Sequence, residues 1–347
     1  MMKDAYGSIV TEMSEESRIQ MNSALRQPMS LVPPRRPGSA RRTSHIDIVH
    51  LETGFTLDGM ARDLVTPLAG ERSSETIRIS ANSRVHARLD ANATLLEISS
   101  DPQPETLKNL LGLAVRQGFR DAIRQHIPDH VALGTPLALL LDDLPVASLI
   151  SGYALLYSGR IPVLSIGHAV KADICSGWRT GGTMLASVAA GTGVPTPLGP
   201  DAPVVAQETS ADPVGWHHLS ELPAGAMRRR RLVDVQVKPD EWNIIAMFRD
   251  THVSDAGKET VLHEYSLTAT VDPQTTRFLT CAAVPRVLPW IECPVAASSA
   301  DTLVGLSCDE IREHVRQDLQ GVRTCTHLND LLRSLGDVRQ LAELVTD

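Results

Sequence analysis

Two cysteines and a histidine near the end of the chain carry the residue types for metal or thiol chemistry: Cys293-Pro294 and Cys325-Thr326-His327. Pro294 suits the first turn of a helix, which places Cys293 at or next to an N-cap. Thr324 or Thr326 suits the cap of a helix carrying Leu328, Leu331, Leu332, Leu335 and Val338, which puts Cys325 at a second helix start. Unpaired N–H groups and the helix dipole favour a thiolate at such a position, and thiolates are nucleophiles and metal ligands. Together with His263, the residues Cys293, Cys325 and His327 make a mixed sulfur and nitrogen set suited to a mononuclear zinc or iron ion. Two other readings stay open: a cysteine nucleophile paired with His327, and small side chains that only pack. Glu264 is a candidate ligand or general acid/base, with an outward strand position as its plain alternative. Asp173 and Cys175, beside Trp178, are weaker catalytic candidates for the same pocket.

The elements that must position these residues follow from composition and pattern. A chain of 347 residues with 42% apolar content is long enough to bury a sizeable core, and points to a globular fold of roughly two domains. Aromatics make up only 3%, so aliphatic side chains must fill that core. A net charge of −8 argues against nucleic acid as a partner of the whole chain. The run Arg228-Arg229-Arg230-Arg231 opens a strand-like segment and reads as a solvated strand start or linker. No apolar run approaches the ~20 residues of a transmembrane helix, so no membrane partner is expected. Five cysteines in a chain of this size do not form a disulfide framework, and a reducing cytoplasm is the expected location.

Residues 1–40, rich in Pro and Arg towards their end, read as a flexible leader. From 41 to 150, strands come first: Ile46, Ile48 and Leu51; Phe55, Leu57 and Met60; Ile77, Ile79, Val85 and Leu89; Leu95, Leu96 and Ile98, with a turn at Asp90-Ala91-Asn92. Helical patterns follow through Leu107–Val115, through Phe119, Ile123 and Ile127, and from Gly134-Thr135-Pro136 through Leu137, Leu140, Leu141 and Leu144. Strands followed by helices define an α+β fold. The order recurs over 227–347, with local matches such as Met60-Ala61-Arg62-Asp63 to Met247-Phe248-Arg249-Asp250 and Gly134-Thr135-Pro136-Leu137 to Cys325-Thr326-His327-Leu328. These matches predict two related halves produced by internal duplication. The cysteines and histidines occur only in the second half; Ser100, Gly134, Pro136 and Ile79 stand opposite Cys293, Cys325, His327 and His263. The helix starts therefore do not need them, which favours a chemical role and leaves the first half with a degenerate site. Residues 151–226 form a Gly/Pro-rich connecting insert, a possible lid, with apolar fragments at Ala154–Tyr157 and Ile161–Leu164. Cys281 and Cys308 read as core, the latter inside the capping box Ser307-Cys308-Asp309-Glu310. His217, His218 and His252 read as exposed.

Arg228 to Asp234, Phe248-Arg249-Asp250, His263-Glu264-Tyr265, Cys293-Pro294 and Gly321 to Leu328 resemble a bacterial family of unknown function, domain-of-unknown-function family 2889. Asp173 to Trp178 and Trp216-His217 extend that resemblance to residues 41–340. The segments Glu292 to Ser299 and Cys325 to Leu328 also resemble the second- and third-cysteine segments of NifU/IscU-type iron–sulfur scaffolds. That second resemblance implies His263 near their acidic ligand. The scaffolds' Cys-Gly-Asp loop is missing, and Pro294 stands where they have glycine. Two functions are thus expected. One is a metal-dependent enzyme, of lyase, hydratase, isomerase or hydrolase type, acting on a small, rather apolar molecule. The alternative is a non-enzymatic carrier or scaffold for an iron–sulfur cluster or metal.

Overall fold

The computed structural model describes residues 25–68, 77–160, 171–203 and 212–346. The fragment Ile161–Leu164 and the first 24 residues of the leader lie outside them. The fold is α+β: eight antiparallel strands form one sheet, in the order β4-β3-β2-β1-β5-β6-β7-β8. The first four are β1 (Ser39–His50), β2 (Phe55–Thr66), β3 (Arg78–Leu89) and β4 (Leu95–Asp101). Helices α1 (Phe119–His126), α2 (Pro128–Ala132), α3 (Pro136–Ile150) and α4 (Gly152–Tyr157) follow, and α5 (Thr183–Ala189) lies within the connection. The second series is β5 (Met227–Val237), β6 (Trp242–Val253), β7 (Glu259–Val271) and β8 (Phe278–Val287), then α6 (Ile311–Gln317), α7 (Thr326–Ser334) and α8 (Val338–Thr346). β1 and β5 pair antiparallel at the centre of the sheet, Thr43 opposite Leu232.

Local chemistry sets the elements. Asp90 accepts from the backbone N–H groups of Asn92 (2.9 Å) and Thr94 (2.7 Å), which closes the expected turn between β3 and β4. Thr135 caps α3 by accepting from Ala138 N. The spacing Leu137, Leu140, Leu141, Leu144 is matched on α7 and just beyond it by Leu328, Leu331, Leu332, Leu335, and all eight are buried. The helix expected through Leu107–Val115 is shorter, a 3-10 helix over Glu105–Leu110, because Leu111 turns extended and Gly112 takes a φ of 79°. The capping box at Ser307 and Glu310 is present.

Two apolar cores lie on the helical side of the sheet. One gathers Ile46, Leu57, Val85, Phe119 and Leu140, the other Phe248, Leu267, Phe278, Leu303 and Leu331. A layer of ion pairs separates them. Arg42 binds Asp63 (Nη2–Oδ2 2.6 Å) and Asp337 (Nη1–Oδ2 3.0 Å), Arg231 lies 2.8 Å from Asp143, and Arg333 lies 2.7 Å from Asp142. Buried charge on this scale persists only when it is paired.

That layer corrects the reading of the arginine run. Arg228, Arg229, Arg230 and Arg231 are all buried, because β5 is a central strand covered on both faces. The other face is covered by residues 25–38 and 212–220. Met29 N donates to Glu264 Oε1 at 2.7 Å, Arg35 Nη2 reaches Asp212 at 2.7 Å, and His217 bonds Thr43 and His45. The described part of the leader is therefore packed on the sheet. His217 and His252 are buried rather than exposed, His252 against Tyr153 and Tyr157. The helical stretch Pro136–Tyr157 has the length and mean hydropathy (1.5) of a membrane span, with 61% of its apolar window buried in the fold. Asp142 and Asp143 in its middle are held by Arg333 and Arg231, which marks a core helix.

Candidate metal centre

β6 and β7 are in a register that sets Asp250 directly opposite His263, and the pairing shifts immediately after Asp250. Such a bulge re-aims side chains at the end of a ladder. Strand alternation sends Phe248, Asp250, His263 and Tyr265 towards the helices. α7 begins above them with Cys325 as its N-cap, and His327, its second residue, lies over His263. The two rings are stacked, with centroids 3.8 Å and planes 16° apart. Phe248 flanks His327 at 6.3 Å.

Asp250 Oδ2 is 3.7 Å from His263 Nδ1 and 3.8 Å from His327 Nε2. Among the described residues, these three form the one group of three or more His, Cys, Asp or Glu side chains whose ligand atoms all lie within 4.8 Å of one another. Both Asp250 oxygens, His263 Nδ1 and His327 Nε2 are buried without a hydrogen-bond partner. Each such atom costs roughly 1–3 kcal/mol if nothing satisfies it. Burial pushes Asp250 up to about 6, against the pull of Arg229. Burial, then Arg229, pushes His327 down to about 3; burial, then His327, holds His263 well below its usual range. The imidazoles are therefore neutral at pH 7, the form a metal requires.

Arg229 reaches this group from β5, with Nε 3.7 Å from Asp250 Oδ1 and Nη2 3.4 Å from Asp330 Oδ2. Burial works against its charge, but Asp250, Asp330 and Asp143 more than offset it. All three of its nitrogens lack a hydrogen bond.

The structure brings two of the four expected ligands, His263 and His327, into one group and supplies Asp250 as their third member. Cys325 lies on the far side of the His327 ring, its Sγ 3.8 Å from Nδ1, and Cys293 is not in the group. Cys293 instead packs under Gly177, where a Cβ would come within 2.9 Å of its Sγ. Neither cysteine carries the thiolate that its helix start suggested. Burial pushes Cys325 up to about 12, outweighing the backbone N–H groups of Leu328 and His327, and pushes Cys293 well above its usual range. At these two helix starts desolvation exceeds the dipole. Cys175 is buried near both, and all three thiols act on the Tyr265 phenol. Glu264 points to the opposite face of the sheet, held by Arg249 (2.7 Å) and Met29 N, and takes no part in the group. Asp173 is an exposed turn residue with a φ of 61°, bonded to Thr180. The sequence reading does not include Asp250, Arg229 and Asp330 among the site residues; the available signal was an aspartate just after the apolar run Ile244–Phe248 of β6, followed thirteen positions later by a histidine on the neighbouring strand.

Residues 227–340, which contain the whole group, match the family DUF2889, described as proteins of unknown function. This agrees with the first resemblance drawn from the sequence over residues 227–340. No curated protein matches the chain, and no solved structure does.

Proposed function

We propose that Asp250, His263 and His327 hold one zinc or iron ion, and that the protein is a metal-dependent enzyme acting on a small, rather apolar molecule. The observation that carries this reading is the convergence of four buried, unpartnered ligand atoms from three segments. Two imidazoles and a carboxylate are the donor set of mononuclear zinc and non-haem iron sites. Ligand atoms bound at ~2.1 Å in a tetrahedral set stand about 3.4 Å apart, a few tenths of an ångström inside the separations from Asp250. The near-parallel rings must tilt to direct both lone pairs at one ion. When bound, the metal supplies Lewis acidity or an activated water, which serves lyase, hydratase, isomerase and hydrolase steps alike.

The chain's own groups have defined tasks. Asp250 releases the proton it holds below about pH 6 as it becomes a ligand. The Cys325 contact fits a His327 tautomer protonated at Nδ1, leaving Nε2 to bind. Arg229 offers donors to an anionic group beside the ligands. Burial excludes bulk water. Titration of metal-free protein with zinc in a calorimeter at about pH 5.5, where Asp250 still holds its proton, tests the reading: one site per chain with proton release supports it, and heats indistinguishable from those of Asp250→Asn overturn it.

The second reading, a metal or iron–sulfur carrier, is favoured by one observation: the three buried thiols Cys175, Cys293 and Cys325 gather near the Tyr265 phenol. Acid-labile sulfide and visible colour after anaerobic purification distinguish it from the first. An origin by internal duplication is supported by the strand order about the β1–β5 pair, by the matched leucine spacing, and by Asp90 and Asp272 closing corresponding turns. On this view residues 41–150 and 227–347 are the related halves, and the helix starts of the first lack the ligands. Five unpaired thiols support a reducing, cytoplasmic location.

A further inference from the structure

A cleft of about 340 Å³ opens between α1 and α3 on one side and α6 and α7 on the other, where the two helical groups meet. Its apolar wall includes Phe119, Val146 and Leu149, and Leu149 is 51% exposed despite its size. Five arginines and two aspartates share the lining. Four of the arginines are matched by acids: Arg120 by Asp330 and Asp142, Arg124 by Asp121, Arg316 by Glu313, and Arg333 by Asp142. Arg116 differs. Its bonds run to neutral atoms of Ser148, Nε to Oγ at 3.3 Å and Nη2 to the carbonyl at 2.5 Å. Asp330 belongs to both the cleft and the metal-site network, since its Oδ1 accepts from Arg120 and its Oδ2 lies 3.4 Å from Arg229.

We infer that this cleft binds a small organic acid, with its acid group on Arg116 and its apolar body against Phe119, Val146 and Leu149. The inference goes beyond the enzymatic reading of the Asp250 site, whose three ligands do not line this cleft. A volume of this size suits a ligand of about ten to twenty heavy atoms, at the lower end of ordinary small-molecule pockets. An aliphatic and aromatic wall beside one cation whose charge no acid among the described residues offsets selects molecules with one acid group and an apolar remainder. Purely polar anions gain nothing from the wall, and neutral apolar molecules nothing from Arg116. The ion-pair chain Arg120–Asp330–Arg229 runs from the wall of the cleft to Asp250.

Metal-free full-length protein is titrated with 8-anilinonaphthalene-1-sulfonate, followed by fluorescence, and with its uncharged analogue N-phenyl-1-naphthylamine. The expected result is one sulfonate site per chain, at least tenfold tighter than the neutral probe. Benzoate displaces the sulfonate probe, whereas inorganic phosphate at the same concentration does not. Arg116→Gln and Leu149→Glu each weaken the sulfonate probe at least tenfold while the circular dichroism melt stays that of the wild type. Leu279→Glu, an equally exposed position on β8, changes nothing. Equal binding of both probes, displacement by phosphate but not benzoate, or unchanged binding in Leu149→Glu would each overturn the inference. If Arg116→Gln fails to fold, Leu149→Glu decides alone. Because no metal is present, failure of the metal-site reading leaves these titrations standing, and their failure leaves metal binding untouched.

Discussion

His327 lies face to face with His263, 3.8 Å between ring centroids, although the two lie 64 positions apart in the chain. The stacking is possible because both rings are neutral, and it leaves Nε2 of one and Nδ1 of the other near the same Asp250 oxygen. Cys325 touches the remaining nitrogen of His327. In metal sites, a group that orients a ligating histidine in this way typically contributes 10–100-fold to affinity. Cys325→Ala is expected to weaken zinc binding by about that factor, with the stoichiometry retained; competition against a chromogenic chelator measures it.

Stability should fall steeply in acid. Burial depresses His252 to about 4, His45 and His327 to about 3, and His217 to about 2. Unfolding raises each to about 6.5, so between pH ~4 and ~6.5 the unfolded chain binds more protons and acid favours it. Each histidine contributes a slope of ~1.4 kcal/mol per pH unit in that window. Urea unfolding of metal-free His252→Phe should show a slope shallower by about that amount, with Tyr153 and Tyr157 still able to pack on the ring. Asp250, raised to about 6, acts in the opposite sense between pH ~4 and ~6: the folded state keeps its proton longer.

The thiols should be unreactive in the native state. All five cysteines are unpaired and buried, and burial raises Cys281, Cys308 and Cys325 to about 12. At pH 8 such a thiol is ~10⁻⁴ ionised, against roughly a quarter for a free cysteine. Ellman's reagent should titrate five thiols in guanidinium and react with none promptly in native buffer. A single fast native thiol at Cys325 would restore the nucleophile reading.

The ion-pair layer between the cores should be sensitive to single substitutions. Arg42→Met leaves Asp63 and Asp337 buried, with Asp63 short of its partner, and is expected to cost ~3–5 kcal/mol. Arg42→Met with Asp63→Leu should recover part of that, because removing both charges ends the desolvation penalty. Chemical denaturation of the pair of variants provides the comparison.

Much of this architecture is legible in the residues themselves. Leu328, Leu331, Leu332 and Leu335 announce a buried helix, Asp90 announces its turn, and Ser307 with Glu310 announces a capping box. These signals are local, set by a few neighbouring residues. What was hidden depends on distant partners. Arg228–Arg231 looks solvated until β1 and β6 close on both sides of β5 and supply Asp47 and Asp250, and α3 supplies Asp143. Asp250 acquires its role only through the β6–β7 register. The thiolate expectation failed for a related reason. A helix start is visible in sequence, whereas the burial that overrides it at Cys325 comes with the fold, including the loop around Cys175, where Ser176 N donates to Thr324 O.

The most direct test is elemental analysis of anaerobically purified protein and three variants. About one zinc or iron per wild-type chain is predicted, lost in Asp250→Asn and in His263→Ala, and retained in Cys293→Ser, with all four proteins sharing one circular dichroism spectrum. Metal that survives Asp250→Asn but disappears in Cys293→Ser, or a wild-type chain that binds none, would contradict the Asp250–His263–His327 site.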